Sequence, residues 1–150
     1  MNLKNVKHIN KFRRLPYPKN KMLIVSSGTL ALLGLRKNKD LDIWVTKDLI
    51  NKISKNSSYR KEIREGQTYY ITKDGNIELS DKLYNIKDKV EEQIKRSITI
   101  YGIHFQSPED IIDFKKGIGR EKDLRDVKLL EDYLKKKVVE NYLSVIQKLK

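Results

Sequence analysis

Residues 23–45 read Leu23-Ile24-Val25-Ser26-Ser27-Gly28-Thr29-Leu30-Ala31-Leu32-Leu33-Gly34-Leu35-Arg36-Lys37-Asn38-Lys39-Asp40-Leu41-Asp42-Ile43-Trp44-Val45. Met22 to Val25 is a short continuous apolar run, as carried by a buried strand. Ser26-Ser27-Gly28 predicts a turn, and Thr29 to Leu35 a brief buried helix limited by Gly34. Leu41 to Val45 mixes β-branched and aromatic residues around one acid and predicts a second strand, with Trp44 in the core. In a strand, side chains two apart point the same way, so Asp40 and Asp42 at its entrance converge on one face.

Upstream, Leu3, Val6, Ile9 and Phe12 recur every three residues and predict a short helix, stopped by Pro16 and Pro18. Downstream, a helix is expected from Lys47 to about Ile53, a polar loop at Asn56-Ser57-Ser58, and a strand from Thr68 to Thr72. Asp74-Gly75 joins that strand to Ile77-Glu78-Leu79 as an antiparallel hairpin. Asp88 to Ser97 suits a helix, and Ile98 to Phe105 a strand or hairpin broken at Gly102. Ser107 followed by Pro108 marks the start of a helix running to about Lys116. The last helix begins near Arg120, and its apolar spacing resumes at Val138, Tyr142, Val145 and Leu149 as a continuation or a separate arm. The expected architecture is α+β: a small mixed β-sheet flanked by helices, in one domain over residues 1–150, with a helical part from about residue 108.

The chain has 33 Lys and Arg against 20 Asp and Glu, a net charge of +13, and no Cys. Without Cys there is no disulfide frame, thiolate nucleophile or Cys-ligated zinc, and two His far apart in sequence argue against a His-based metal cluster. Metal chemistry would use oxygen ligands. No apolar run approaches the roughly 20 residues of a membrane span, and Met1-Asn2-Leu3-Lys4 lacks a signal-peptide core, so a soluble, cytoplasmic protein is expected. Residues 1–39 hold seven Lys and three Arg but no acid. A basic field around an acidic pair would draw phosphorylated substrates toward a metal, although lysine-rich composition alone also keeps a surface soluble.

Oxygen-only ligands at Asp40 and Asp42 suit Mg²⁺ or Mn²⁺ completed by substrate phosphates. Glu78, an acid between two apolar neighbours, is the candidate third carboxylate, to help hold metal or to act as general base. Ser26, Ser27 and Gly28, between strand and helix, would cradle phosphate at a helix N-terminus. Ordinary structural roles compete with each: lysine-neutralised acids, an exposed hairpin glutamate, serines that only cap a helix. His8 and His104 have no partner in the sequence that makes either a catalytic base.

The order of these residues resembles the nucleotidyltransferase superfamily that shares the polymerase β fold, in particular its small bacterial and toxin-type members. The family pattern is an apolar strand, Gly followed by Ser or Gly, about ten residues, then Asp-x-Asp. If Ser27 is the second residue of the pair, Ser26 stands at the usual Gly; the other match places Ser27-Gly28 there. Leu33-Gly34-Leu35-Arg36 before the acids, and Lys115-Lys116-Gly117-Ile118-Gly119-Arg120-Glu121-Lys122-Asp123-Leu124-Arg125-Asp126 later, are also similar to those members, and the likeness spans about residues 21–134. It implies Mg²⁺-dependent transfer of a nucleoside monophosphate from an NTP to an acceptor hydroxyl. Asp40, Asp42 and Glu78 would be the catalytic and metal residues, and Lys115, Arg120 and Lys122 would lie beside the nucleotide. The basic N-terminal segment suits RNA or tRNA as acceptor, with protein or small molecules left open. The alternative is a scaffold without turnover that binds nucleic acid or protein; membership of a toxin–antitoxin pair is a third reading.

Overall fold

The structure, a computed structural model, describes residues 1–150 and is built on a seven-stranded mixed sheet. In chain order the strands are β1 (Met22–Val25), β2 (Leu41–Val45), β3 (Arg60–Arg64), β4 (Gln67–Ile71), β5 (Ile77–Ser80), β6 (Ile98–Ile100) and β7 (Ile103–Phe105). The helices are α1 (Ile9–Arg13), α2 (Ser27–Leu32), α3 (Lys47–Ser54), α4 (Val90–Lys95), α5 (Pro108–Ile118) and α6 (Glu121–Leu149). Spatial order is β3-β4-β5-β2-β1-β7-β6, with β2–β5 and β1–β7 parallel and the remaining pairs antiparallel. None of the helices is long and apolar enough to cross a membrane.

Strand alternation divides the apolar residues between two faces. Ile24, Ile43, Leu79 and Phe105 face one side, where Phe12 of α1, Leu32 of α2 and Ile53 of α3 complete the main core. Leu23, Val25 and Trp44 face the other, where α4 covers them through Val90. Asp42 shares the face of Trp44, at the end that α4 leaves open. A third cluster, Leu30, Ile111 and Leu130, fastens α5 and α6 to α2.

The strand–turn–helix–strand reading of residues 22–45 holds. Residues 3–13 depart from the single expected helix: a 3₁₀ turn over Leu3–Asn5 precedes α1, and His8 at φ 70° breaks the run between them. α4 is shorter than expected. The sequence reading also missed β3, an edge strand whose Arg-Lys-Glu-Ile-Arg pattern has no buried residue. Its hairpin with β4 turns at Glu65-Gly66, both at positive φ, as does the β6–β7 hairpin at Tyr101-Gly102. Ser107 caps α5, its Oγ accepting the Asp110 N–H at 3.1 Å. α6 is one continuous helix of 29 residues.

Candidate active site

Strand pairing brings two of the three candidate acids together. In the parallel β2–β5 ladder Asp42 lies opposite Glu78, and strands so paired are about 4.8 Å apart. Glu78 therefore stands on an interior strand, not on an exposed hairpin edge. Asp40, two residues before Asp42, completes the acidic wall of a cleft of about 910 Å³. The opposite walls are the β3–β4 hairpin, through Arg64 and Tyr69, and α5, through Phe114 and Ile118. A second hollow of about 550 Å³ opens on the other side of Asp40 and Asp42, toward Ser26, Ser27, Arg36 and Lys39.

Neither Asp40 nor Asp42 is ion-paired, so the competing picture of lysine-neutralised acids does not describe them. The Asp42 carboxyl is pushed up to about 7, first by burial, then by the charges of Asp40 and Glu78 and by a hydrogen bond with Glu78; Arg64 opposes these. Two anions facing each other across neighbouring strands cannot both ionise cheaply without a cation. Arg64 is the cation present: it donates to Glu78 Oε1 at 2.9 Å and stacks 4.2 Å from the Tyr69 ring. The three acids face the same cleft, yet no three acidic or histidine side chains are gathered tightly enough to enclose a metal ion.

The turn after β1 is tighter than Ser26-Ser27-Gly28 suggests. Ser26 alone makes the corner, at φ 58° and ψ −117°, and α2 begins at Ser27. That conformation favours glycine, so a non-glycine residue there is strained. The corner is held by Gln106, whose side-chain Oε1 accepts the Ser26 N–H at 3.0 Å. Gln93 in turn accepts from Gln106 Nε2 at 3.0 Å, inside the protein. Ser27 does not cap α2 through its side chain, and neither does Ser26. Gly28 serves packing: a Cβ there would lie 2.3 Å from Ile24 Cγ2 and 3.3 Å from Leu41 Cδ2, so α2 lies close against β1 and β2. It is buried and lines neither hollow.

The basic residues of the third motif divide. Lys115 is buried and ion-paired with Asp126 at 2.9 Å and Asp123 at 3.3 Å. Arg120 binds Asp123 at 2.6 Å, and Arg36 binds Asp126 through two hydrogen bonds of 2.7 Å. Burial alone would raise both aspartates, but their cationic partners outweigh it and hold them below the ordinary carboxylate range. Three cations and two acids thus form a frame that joins α5 and α6 to the loop before β2. Lys115, expected at the phosphates, belongs to this frame and also lines both hollows. Lys122, also expected there, is exposed, lines both hollows and has no ion-pair partner.

Residues unmarked by the motif position the acids. The buried Asn38 side chain bonds the backbone N–H and carbonyl of Lys7 at 2.8 and 3.1 Å and donates to the Asp40 carbonyl at 3.1 Å. His8 Nε2 contacts the Lys39 carbonyl at 3.0 Å. The acid-free N-terminal segment is thereby stapled to the loop that presents Asp40. A polar residue at the end of an apolar strand, Phe105-Gln106, was a signal for the Ser26 support; Arg64 had none, because its strand looks like solvated surface. Compared with protein-family models, curated proteins and solved structures, the chain matches none.

Proposed function

We propose that this chain is a metal-dependent nucleotidyltransferase with a polymerase β-like arrangement, transferring a nucleoside monophosphate from an NTP to an acceptor hydroxyl. The observation that carries this reading is the shared cleft of Asp40, Asp42 and Glu78, in which burial and the charges of Asp40 and Glu78 drive Asp42 up while unpaired Lys122 stands on the rim. The donor set is all carboxylate oxygen, which fits Mg²⁺ or Mn²⁺ held by Asp40 and Asp42 with Glu78 beside them. When bound, such an ion would offset the acids' repulsion and polarise the phosphoryl oxygens. Lys122 and the outward side of Arg120 face the space a triphosphate would fill, and Ser26 and Ser27 border the adjoining hollow. The acceptor oxygen attacks the α-phosphorus in line and pyrophosphate leaves, while Glu78 accepts the hydroxyl proton once released from Arg64.

The test supplies each α-labelled NTP with Mg²⁺, in turn with total RNA and with total protein as acceptor. Labelled product from the wild-type chain, reduced at least ~100-fold in Asp42→Ala, is the expected result; transfer indifferent to that substitution refutes the mechanism. The Arg64–Glu78 ion pair favours a second reading, a binding module without turnover. RNA binding that weakens with salt and survives Asp42→Ala, with no transfer, would select it.

A further inference from the structure

Nineteen residues of α6 extend past Leu130, the last buried residue of the chain, followed by Lys150. At 1.5 Å per residue, residues 131–150 form an arm about 30 Å long. Most helical stability in proteins comes from packing an amphipathic face, and no residue of this stretch of α6 is buried. Yet the arm is strongly two-sided. Val138, Tyr142, Val145 and Leu149 recur at four-, three- and four-residue steps, with Val139 and Ile146 beside them; Tyr142 is 65% exposed and Leu149 81%. Lys136, Lys137, Glu140, Ser144, Gln147 and Lys148 occupy the opposite side, with Leu143, 57% exposed, at the border between the two. Val127 and Val145, 18 residues apart, lie on the same face at 100° per residue; the stripe is uncovered because the arm runs on beyond Leu130, the last buried position.

We propose that a second copy of this chain covers the stripe, through antiparallel pairing of the two arms centred near Glu140. The charges select both the partner and the direction. Glu131 and Asp132, exposed and loosely paired within the chain to Lys116 at 3.7 Å and Lys128 at 3.4 Å, lie at the body end of the arm, and Lys148 and Lys150 at its far end, each pair about nine residues from the centre. Antiparallel pairing therefore sets the acids of one copy against the lysines of the other at both ends. It also separates the Lys135-Lys136-Lys137 runs of the two copies. Parallel pairing would align those runs and would set Lys148 and Lys150 against their equals. In the antiparallel pair Tyr142 of each arm meets Val138 of the other, and Val145 packs over the aliphatic stem of Lys135. The surface is self-complementary, as a two-fold interface must be.

This inference is independent of the catalytic reading. The full chain is examined by sedimentation equilibrium from 1 to 200 µM, expecting about twice the 17.7 kDa chain mass at the upper end. Val138→Glu with Val145→Glu should weaken association at least ~100-fold. Because the chain contains no Cys, direction is read separately from two single variants, Lys135→Cys and Val145→Cys. Antiparallel arms form a disulfide between the two variants when mixed, in preference to either variant with itself. A chain that stays monomeric at 200 µM, or one whose cross-links are homotypic, overturns the proposal. So does a dimer that persists unweakened in the double glutamate variant.

Discussion

Replacing Asp42 by Asn tests the electrostatics of the cleft before any substrate is known. In the folded chain the Asp42 carboxyl titrates at about 7, raised from 3.8 by burial and by Asp40 and Glu78. The folded state therefore holds this proton more tightly than the unfolded state does. Stability from this group is fully present below about pH 4, declines as pH rises, and is lost once pH passes 7. Three pKa units at about 1.4 kcal/mol each set a ceiling of about 4 kcal/mol. The amide carries no charge, so Asp42→Asn removes this slope. Urea unfolding of both proteins from pH 4 to pH 8 in EDTA should give similar midpoints at pH 4 and a variant more stable at pH 8, by at most about 4 kcal/mol. Millimolar Mg²⁺ at pH 8 should then raise the wild-type midpoint and leave the variant's nearly unchanged. Taking the difference between the two proteins cancels the titrating groups that do not interact with Asp42, and leaves the response of Asp42 together with the acids coupled to it. Equal stability at pH 8, or a variant that is weaker throughout, refutes the claim that Asp42 carries unrelieved repulsion.

Two substitutions address the turn after β1. Ser26→Gly should raise stability by about 1 kcal/mol, since relief of strain at φ 58° exceeds the added freedom of glycine in the unfolded chain; thermal unfolding measures it. Gly28→Ala should lower stability by about 2 kcal/mol, because its methyl meets Ile24 Cγ2; adding Ile24→Ala should cost less than the sum of the single effects, as a double-mutant cycle would show.

The central strands and α5 were legible because their signals are local and unopposed: a continuous apolar run, an acid among β-branched residues, a serine cap before proline. The convergence of Asp42 and Glu78 was harder to foresee. It depends on β2 and β5 pairing in parallel across 36 residues of chain, a register that no local pattern specifies. β3 escaped notice because its side chains are charged on both faces; it pairs through its backbone at the edge of the sheet, where polar residues carry little penalty. Gly28 carries a related ambiguity: the residue that permits a phosphate to approach also permits a strand to approach. Only the surroundings distinguish the two. Lys115, likewise, was chemically suited to an anion, and the anions it meets are Asp123 and Asp126 of its own chain.

Seating Asp42 and Glu78 on neighbouring strands, rather than on loops, has a mechanical consequence. A loop carrying a like charge would swing away; a ladder rung is restrained on both sides by backbone hydrogen bonds and by Ile43 and Leu79 in the core beneath. The fold thus behaves as a loaded clamp, with its tension stored in the sheet itself and discharged by whatever positive charge arrives between its jaws.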